Sequence, residues 1–124
     1  MHNKKEMKTK EENIIVIKSY AFAVRCVNLY KYLCEVKNDY IIGRQLMRSG
    51  TSIGANIKEA TRGVSKADFT AKMSISLKEA SESEFWIELL RDTDYITTEQ
   101  AESMLADCQE LLKLLMTIVK TSKQ

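Results

Sequence analysis

A chain of 124 residues, 44% hydrophobic and 29% charged, has the length and composition of one globular domain, which excludes a wholly disordered protein. Nineteen Lys and Arg stand against 17 Asp and Glu, and a formal net charge of +2 dictates no partner by itself. Proline is absent and only four glycines occur, so long helices can run without their commonest breakers and an all-α fold is expected.

The charge is unevenly spread: residues 1–37 carry eight Lys or Arg against four Glu, whereas residues 65–95 carry four against seven Asp or Glu. Residues 1–10 include four lysines without an aliphatic stretch or a cleavage-site pattern, and so read as a flexible basic tail rather than a signal peptide. Residues 11–121 are expected to form a single domain. No apolar run approaches the length of a membrane span, which points to a cytoplasmic protein with no membrane partner. Cys26, Cys34 and Cys108 are odd in number and sit in helical apolar stripes, a pattern of reduced, buried thiols rather than a disulfide framework or a metal knuckle.

The first helix is expected from Thr9, which has capping-box spacing to Glu12, to about Lys37. Ile15, Phe22, Cys26, Leu29, Leu33 and Val36 follow one stripe, and Val16, Ala23, Val27, Tyr30 and Cys34 follow a second beside it. One stripe suffices for a helix in a monomeric bundle; the extra width predicts a further buried surface, most simply a subunit interface. Asn38 and Asp39 supply turn and cap chemistry. A second helix then repeats Ile42, Leu46, Ser49, Ile53, Ile57 and Ala60 at spacings of three and four, ending near Gly63.

Ser65 caps a third helix whose inner seam is Phe69, Met73, Ser76, Ala80, Ser83, Ile87 and Leu90, with Ile75, Trp86 and Leu89 on another flank. A fourth starts at Thr97, again three residues before a partner, Gln100. It follows a seam of Ala101, Met104, Cys108, Leu111, Leu115 and Ile118, fraying after Lys120. The short connections make sequential helices antiparallel neighbours in an up-down-up-down, left-handed four-helix bundle. Small residues concentrate at Ser49–Ala55 and again at Ser74, Ser76, Ala80, Ser81 and Ser83, which predicts close approach of helices two and three, with Gly50 and Gly54 marking tight packing or a local bend.

On a helical wheel Arg44, Arg48, Lys58 and Arg62 fall within roughly 40° of one direction, while Ile42, Leu46, Ile53 and Ala60 point the opposite way. Such a row suits phosphate contacts along RNA or DNA, but the pattern is more often a solvated face, or one that pairs with the acidic third helix of a neighbouring subunit. No aromatic residues interleave with these cations, so no base-stacking platform is visible. Ser52, Asn56 and Glu59 flank the row and are expected to be structural polar groups, bonding to Lys72, Lys78 or Glu82 on helix three.

Catalytic and cofactor readings find little support in the sequence. Ser52 has no base and no oxyanion element. Glu79, Glu82, Glu84 and Glu88 suggest a carboxylate-bridged di-metal bundle, but such sites use a Glu-x-x-His element from each of two helices, and the only histidine here is His2. The same lack argues against histidine general-base catalysis and mixed zinc sites. Gly50 and Gly54 lack the lysine and preceding strand of a phosphate loop. Trp86 and the five tyrosines are expected as packing anchors, so neither catalytic residues, a metal nor a cofactor are assigned.

The ordered segments RQLMRSGTSIGAN, IKEA, SKADF and KMSISLKEASESEFWIELL resemble the four-helix-bundle proteins encoded in intervening sequences of bacterial 23S rRNA genes, over about residues 20–119. The likeness is to a glycine-bearing branch, because Gly54 stands where the wider family commonly has proline before an Ala-Asn pair. A more distant likeness is to accessory proteins of diversity-generating retroelements, which are basic pentamers that engage a reverse transcriptase and nucleic acid. The resemblance implies a homopentamer arranged as a ring of bundles. It also makes Arg44, Arg48, Lys58 and Arg62 the nucleic-acid-binding candidates, with Lys18 and Arg25 of helix one as secondary ones. The functional expectation is a non-enzymatic oligomer that binds structured RNA or DNA; the alternative is a protein-interaction scaffold without nucleic-acid affinity.

Overall fold

Hydroxyl caps set three of the four helix starts in the computed structural model, which describes residues 9–124; the expected basic tail therefore lies almost wholly outside the described residues. Helix α1 (Lys10–Glu35) begins at Thr9, whose Oγ1 accepts from the Glu12 amide at 3.1 Å. Only this half of the expected capping box forms. Helix α3 (Lys66–Asp92) begins at Ser65, whose Oγ accepts from the Asp68 amide at 3.0 Å. Helix α4 (Thr98–Ser122) has the complete box: the Gln100 amide donates to Thr97 Oγ1 at 3.0 Å, and the Thr97 amide to Gln100 Oε1 at 2.8 Å.

Helix α2 (Ile42–Ala60) starts differently. The side chain of its N-cap, Ile41, cannot accept a hydrogen bond, and Asp39 reaches in from further back. Its buried carboxylate accepts from the amides of Ile41 and Ile42, each at 3.1 Å, and Gly43 at 2.7 Å. One acidic side chain thus satisfies three donors that a helix start leaves without partners, with favourable charge at the positive end of the helix dipole. Asn38, in the left-handed region at φ 57°, turns the chain so that Asp39 arrives there. The cap chemistry expected of this pair is thereby divided: one residue turns and the other caps.

Side-chain pairing fixes the topology. Lys72 of α3 meets Glu59 of α2 while Ser83 meets Ser49, so α2 and α3 run antiparallel. The same logic applies to α3 and α4, where Thr70 meets Ser122 and the Ala80 carbonyl meets Cys108. It holds again for α1 and α4, where Lys18 meets Glu110 and Arg25 meets Ser103. Each helix packs against two neighbours and not against the diagonal one, giving a four-helix bundle with no strand among the described residues.

Phe22 and Leu33 of α1, Leu46 and Ile53 of α2, Met73 and Ile87 of α3, and Leu111 and Leu115 of α4 meet in one core. The expected α3 and α4 seams are the buried ones, except that Phe69 is only partly covered. Val36 is a correction: α1 ends at Glu35, and the side chain emerges into solvent instead of continuing the stripe. Within this core Ser49 Oγ and Ser83 Oγ lie 2.8 Å apart, and Ser76 Oγ donates to the Ile53 carbonyl at 2.9 Å. Buried hydroxyls that are paired in this way fix the α2–α3 register without leaving an unsatisfied dipole.

The small-residue stretch of α2 serves two neighbours rather than one. Ser49 and Ile53 face α3, whereas Gly50 and Gly54 face α1: a Cβ on Gly50 would stand 3.1 Å from Cys26 Cβ, and one on Gly54 3.4 Å from the Ser19 carbonyl oxygen. Consecutive residues on a helix diverge by about 100°, so a run of small residues necessarily opens two seams. No described helix is long and apolar enough to cross a membrane.

Candidate nucleic-acid interface

The row of cations on α2 begins from the same periodicity that builds its core stripe, yet its members meet different surroundings. Arg44 and Lys58 are exposed on α2 itself. Arg62 lies two residues past the end of the helix, where the Arg62 amide bonds to the Glu59 carbonyl at 3.1 Å and carries the helical direction on for one more turn. None of these three cations makes an ion pair among the described residues. At a rise of about 1.5 Å per residue, Arg44 and Lys58 are separated by roughly 21 Å along the helix, and Lys58 and Arg62 by roughly 6 Å.

Arg48 departs from the row. It leans toward α3, where one guanidinium nitrogen bonds to Glu82 and another lies 3.8 Å from Glu79 Oε1. Glu82 also accepts from the indole of Trp86 at 3.0 Å, and Trp86 stacks edge-on against Phe85 with ring centroids 5.0 Å apart. Glu79 Oε1 is buried without a hydrogen-bond partner, so the Arg48 charge is what compensates it. The acidic partner foreseen on a neighbouring subunit is thus present within the same chain.

The secondary cations of α1 are likewise engaged. Lys18 Nζ lies 3.2 Å from Glu110. Arg25 holds Asp107 at 2.7 Å, and donates to Ser103 Oγ at 2.9 Å and to the Ser103 carbonyl at 3.2 Å. Both stitch the thinner α1–α4 seam, where polar clasps stand in for extensive apolar packing. They face away from the α2 row, because α4 and α2 flank α1 on different sides.

The flanking polar residues divide too. Glu59 pairs with Lys72 of α3 at 3.0 Å, which raises the Lys72 pKa through that hydrogen bond and the charge of Glu59. Ser52 and Asn56 do not reach α3: Ser52 Oγ donates to the Arg48 carbonyl at 2.7 Å, and Asn56 Nδ2 to the Ser52 carbonyl at 2.8 Å. A carbonyl one turn back is always within reach of a short side chain, and it wins over a partner on the next helix.

A groove missing from the sequence reading runs beside the row, between α1 and α2. It has a volume of about 730 Å³ and is lined by Val16, Tyr20, Ala23, Gly54 and Ala55 together with Lys58 and Arg62. Gly54 opens it, since no side chain fills the space above Ser19. On α1, Ile17 and Tyr20 are 71% and 73% exposed, far more than apolar side chains of a closed bundle need be. The second α1 stripe, Val16, Ala23, Val27, Tyr30 and Cys34, is half-buried throughout. It signalled surplus apolar width; Ile17 and Tyr20 themselves lay outside both stripes. No group of three or more His, Cys, Asp or Glu residues that could hold a metal ion occurs among the described residues.

The family described as 23S rRNA-intervening sequence protein matches residues 11–117. A solved structure of a protein with unknown function from the S23 ribosomal protein family of Bacteroides thetaiotaomicron VPI-5482 is 52% identical, with a TM-score of 0.87, covering 89% of this chain and 98% of that one. No curated protein matches the chain.

Proposed function

Because this chain belongs to the 23S rRNA-intervening sequence protein family, we propose that it is a non-enzymatic, self-associating helical-bundle protein, a homopentamer by resemblance, that binds structured RNA or DNA through α2. The observation that carries the binding reading is that Arg44, Lys58 and Arg62 are exposed along one edge and have no carboxylate partner among the described residues. Arg48, Lys18 and Arg25 each have an intramolecular carboxylate partner, so a phosphate contact there competes with that pair. Three cations are a weak site for a polyanion; repeated around an oligomer they act together through effective concentration.

Binding of the purified protein to duplex, structured RNA and single strands, measured across a salt series, tests this. Affinity should fall with salt. Each of Arg44→Ala, Lys58→Ala and Arg62→Ala should reduce the slope of log K against log salt by about 0.7 to 0.9 for every phosphate that a subunit no longer neutralises. Absence of binding at low salt, or a triple variant with an unchanged slope, overturns the reading. The apolar groove supports the rival, a scaffold for another protein, and that reading stands if nucleic acid fails to bind while the groove residues prove essential for assembly with a partner.

A further inference from the structure

The cations of α2 start at Arg44, next to a cluster of apolar side chains that the core does not use. Val36, Tyr40 and Ile41 are 59%, 55% and 76% exposed, all within six residues at the turn from α1 to α2. Beneath them the core is already closed: Leu33 and Leu46 are buried, and a Cβ on Gly43 would stand 2.8 Å from Leu33 Cδ1. Single exposed apolar residues need no explanation, but a cluster at one turn marks a contact surface.

The turn is held firmly. The Asp39 amide donates to the Leu33 carbonyl at 3.0 Å, and the Asp39 carboxylate accepts from the amides of Ile41, Ile42 and Gly43. Tyr40 stands between these anchored residues, so its ring is presented outward with little left to order on binding. Ile41 already belongs to the helical ladder, at φ −114° and ψ −64°, and its carbonyl accepts from the Gln45 amide at 3.3 Å. It therefore shares a face with Arg44, three residues on, at roughly 5 to 6 Å between Cβ atoms.

The only acid from Val36 to Arg44 is Asp39, which is buried and taken up by the three amides. Lys37 and Arg44 are exposed and make no ion pair among the described residues. An exposed ring flanked by two such cations complements a base with its phosphates.

Resting on the nucleic-acid reading of α2, we propose that Tyr40 stacks on an unpaired base, so that the ligand is a stem interrupted by an unpaired nucleotide rather than a continuous duplex. The phosphates of the stem follow α2 from Arg44 toward Lys58, roughly 21 Å or about six base-pair rises, and the base leaves the stem at the α1–α2 turn. No aromatic residue stands between the cations of α2; Tyr40 supplies the stacking surface from just beyond the start of the helix.

The test uses the full chain with two probes, a continuous duplex and the same duplex carrying one unpaired 2-aminopurine, each made as RNA and as DNA. Wild type should prefer the interrupted duplex and quench its fluorescence. Tyr40→Ala should weaken that binding by about 5- to 150-fold, leave the continuous duplex unaffected and abolish the quenching. Its slope of log K against log salt should match wild type, because no phosphate contact is lost. Tyr40→Phe keeps the ring and should behave as wild type; circular dichroism verifies that both variants fold. Equal affinities of wild type and Tyr40→Ala for the interrupted duplex, or an equal loss on both duplexes, overturn the stacking and leave the α2 reading standing where binding still falls with salt. Absence of all binding at low salt overturns both.

Discussion

Replacing Gly50 with alanine tests the packing of α1 on α2, since two opposing effects can be weighed at one atom. Alanine in a helix interior is favoured over glycine by about 1 kcal/mol. The new Cβ would, however, stand inside van der Waals contact of Cys26 Sγ and 3.1 Å from Cys26 Cβ, with Phe22 Cε2 at 3.5 Å. Cys26 is fully buried, so its sulfur must turn within the packed core or the two helices must move apart. Overpacking of this kind costs about 1 to 3 kcal/mol, leaving a net loss of roughly 1 kcal/mol and a melting temperature lower by about 4 °C.

Gly54→Ala is the control on the same seam. Its nearest neighbours would be the Ser19 carbonyl oxygen at 3.4 Å and Ser19 Oγ at 3.5 Å, which is ordinary contact, so this variant should gain up to about 1 kcal/mol. Urea unfolding followed by circular dichroism, at one fixed protein concentration because association would move the midpoint, measures both. In the double variant Cys26→Ala/Gly50→Ala the removed sulfur should restore part of the loss, as a coupling of about 1 kcal/mol. A Gly50→Ala protein as stable as Gly54→Ala would refute the close approach at Cys26.

Three further outcomes are expected. Ser49→Ala and Ser83→Ala should each cost about 1 kcal/mol, and the double variant less than their sum, because the hydroxyls serve each other at 2.8 Å; strict additivity in a denaturation cycle would deny the pair. Burial pushes the Cys26 and Cys108 thiols up to about 12 from an ordinary 9.0, with neighbouring Cys108 adding to the shift at Cys26 and Glu84 at Cys108. A raised folded-state value means stability fully present below about pH 9 and lost as pH climbs toward 12, and Cys108→Ala should flatten that loss in unfolding curves taken from pH 8 to 11. Arg25→Ala should cost at most about 1 kcal/mol, since the side chain is 38% exposed, but more than Lys18→Ala, whose single ion pair lacks the bonds to Ser103; equal losses would show that the clasp adds nothing.

Helix number, the hydroxyl caps at Thr9, Ser65 and Thr97, and the buried seams of α3 and α4 were legible in the sequence because they are local. A cap reads a residue three positions on, and a seam repeats every three or four. The candidate site was less legible. A helical wheel assigns Arg44, Arg48, Lys58 and Arg62 one direction, but it cannot say that carboxylates of α3 stand within reach of Arg48 alone.

The sequence by itself determined an all-helical chain with one core, surplus apolar width on α1 and a line of cations on α2, since periodicity and composition act along the chain. Only the tertiary structure decided that Gly50 and Gly54 meet α1 rather than α3, and that Lys18 and Arg25 are spent on α4. It also decided that Lys58 and Arg62 line an apolar groove. The reason is physical: a side chain's direction follows from its own helix, whereas its partner depends on which residue of another helix lies opposite, a register set by core packing across the whole bundle.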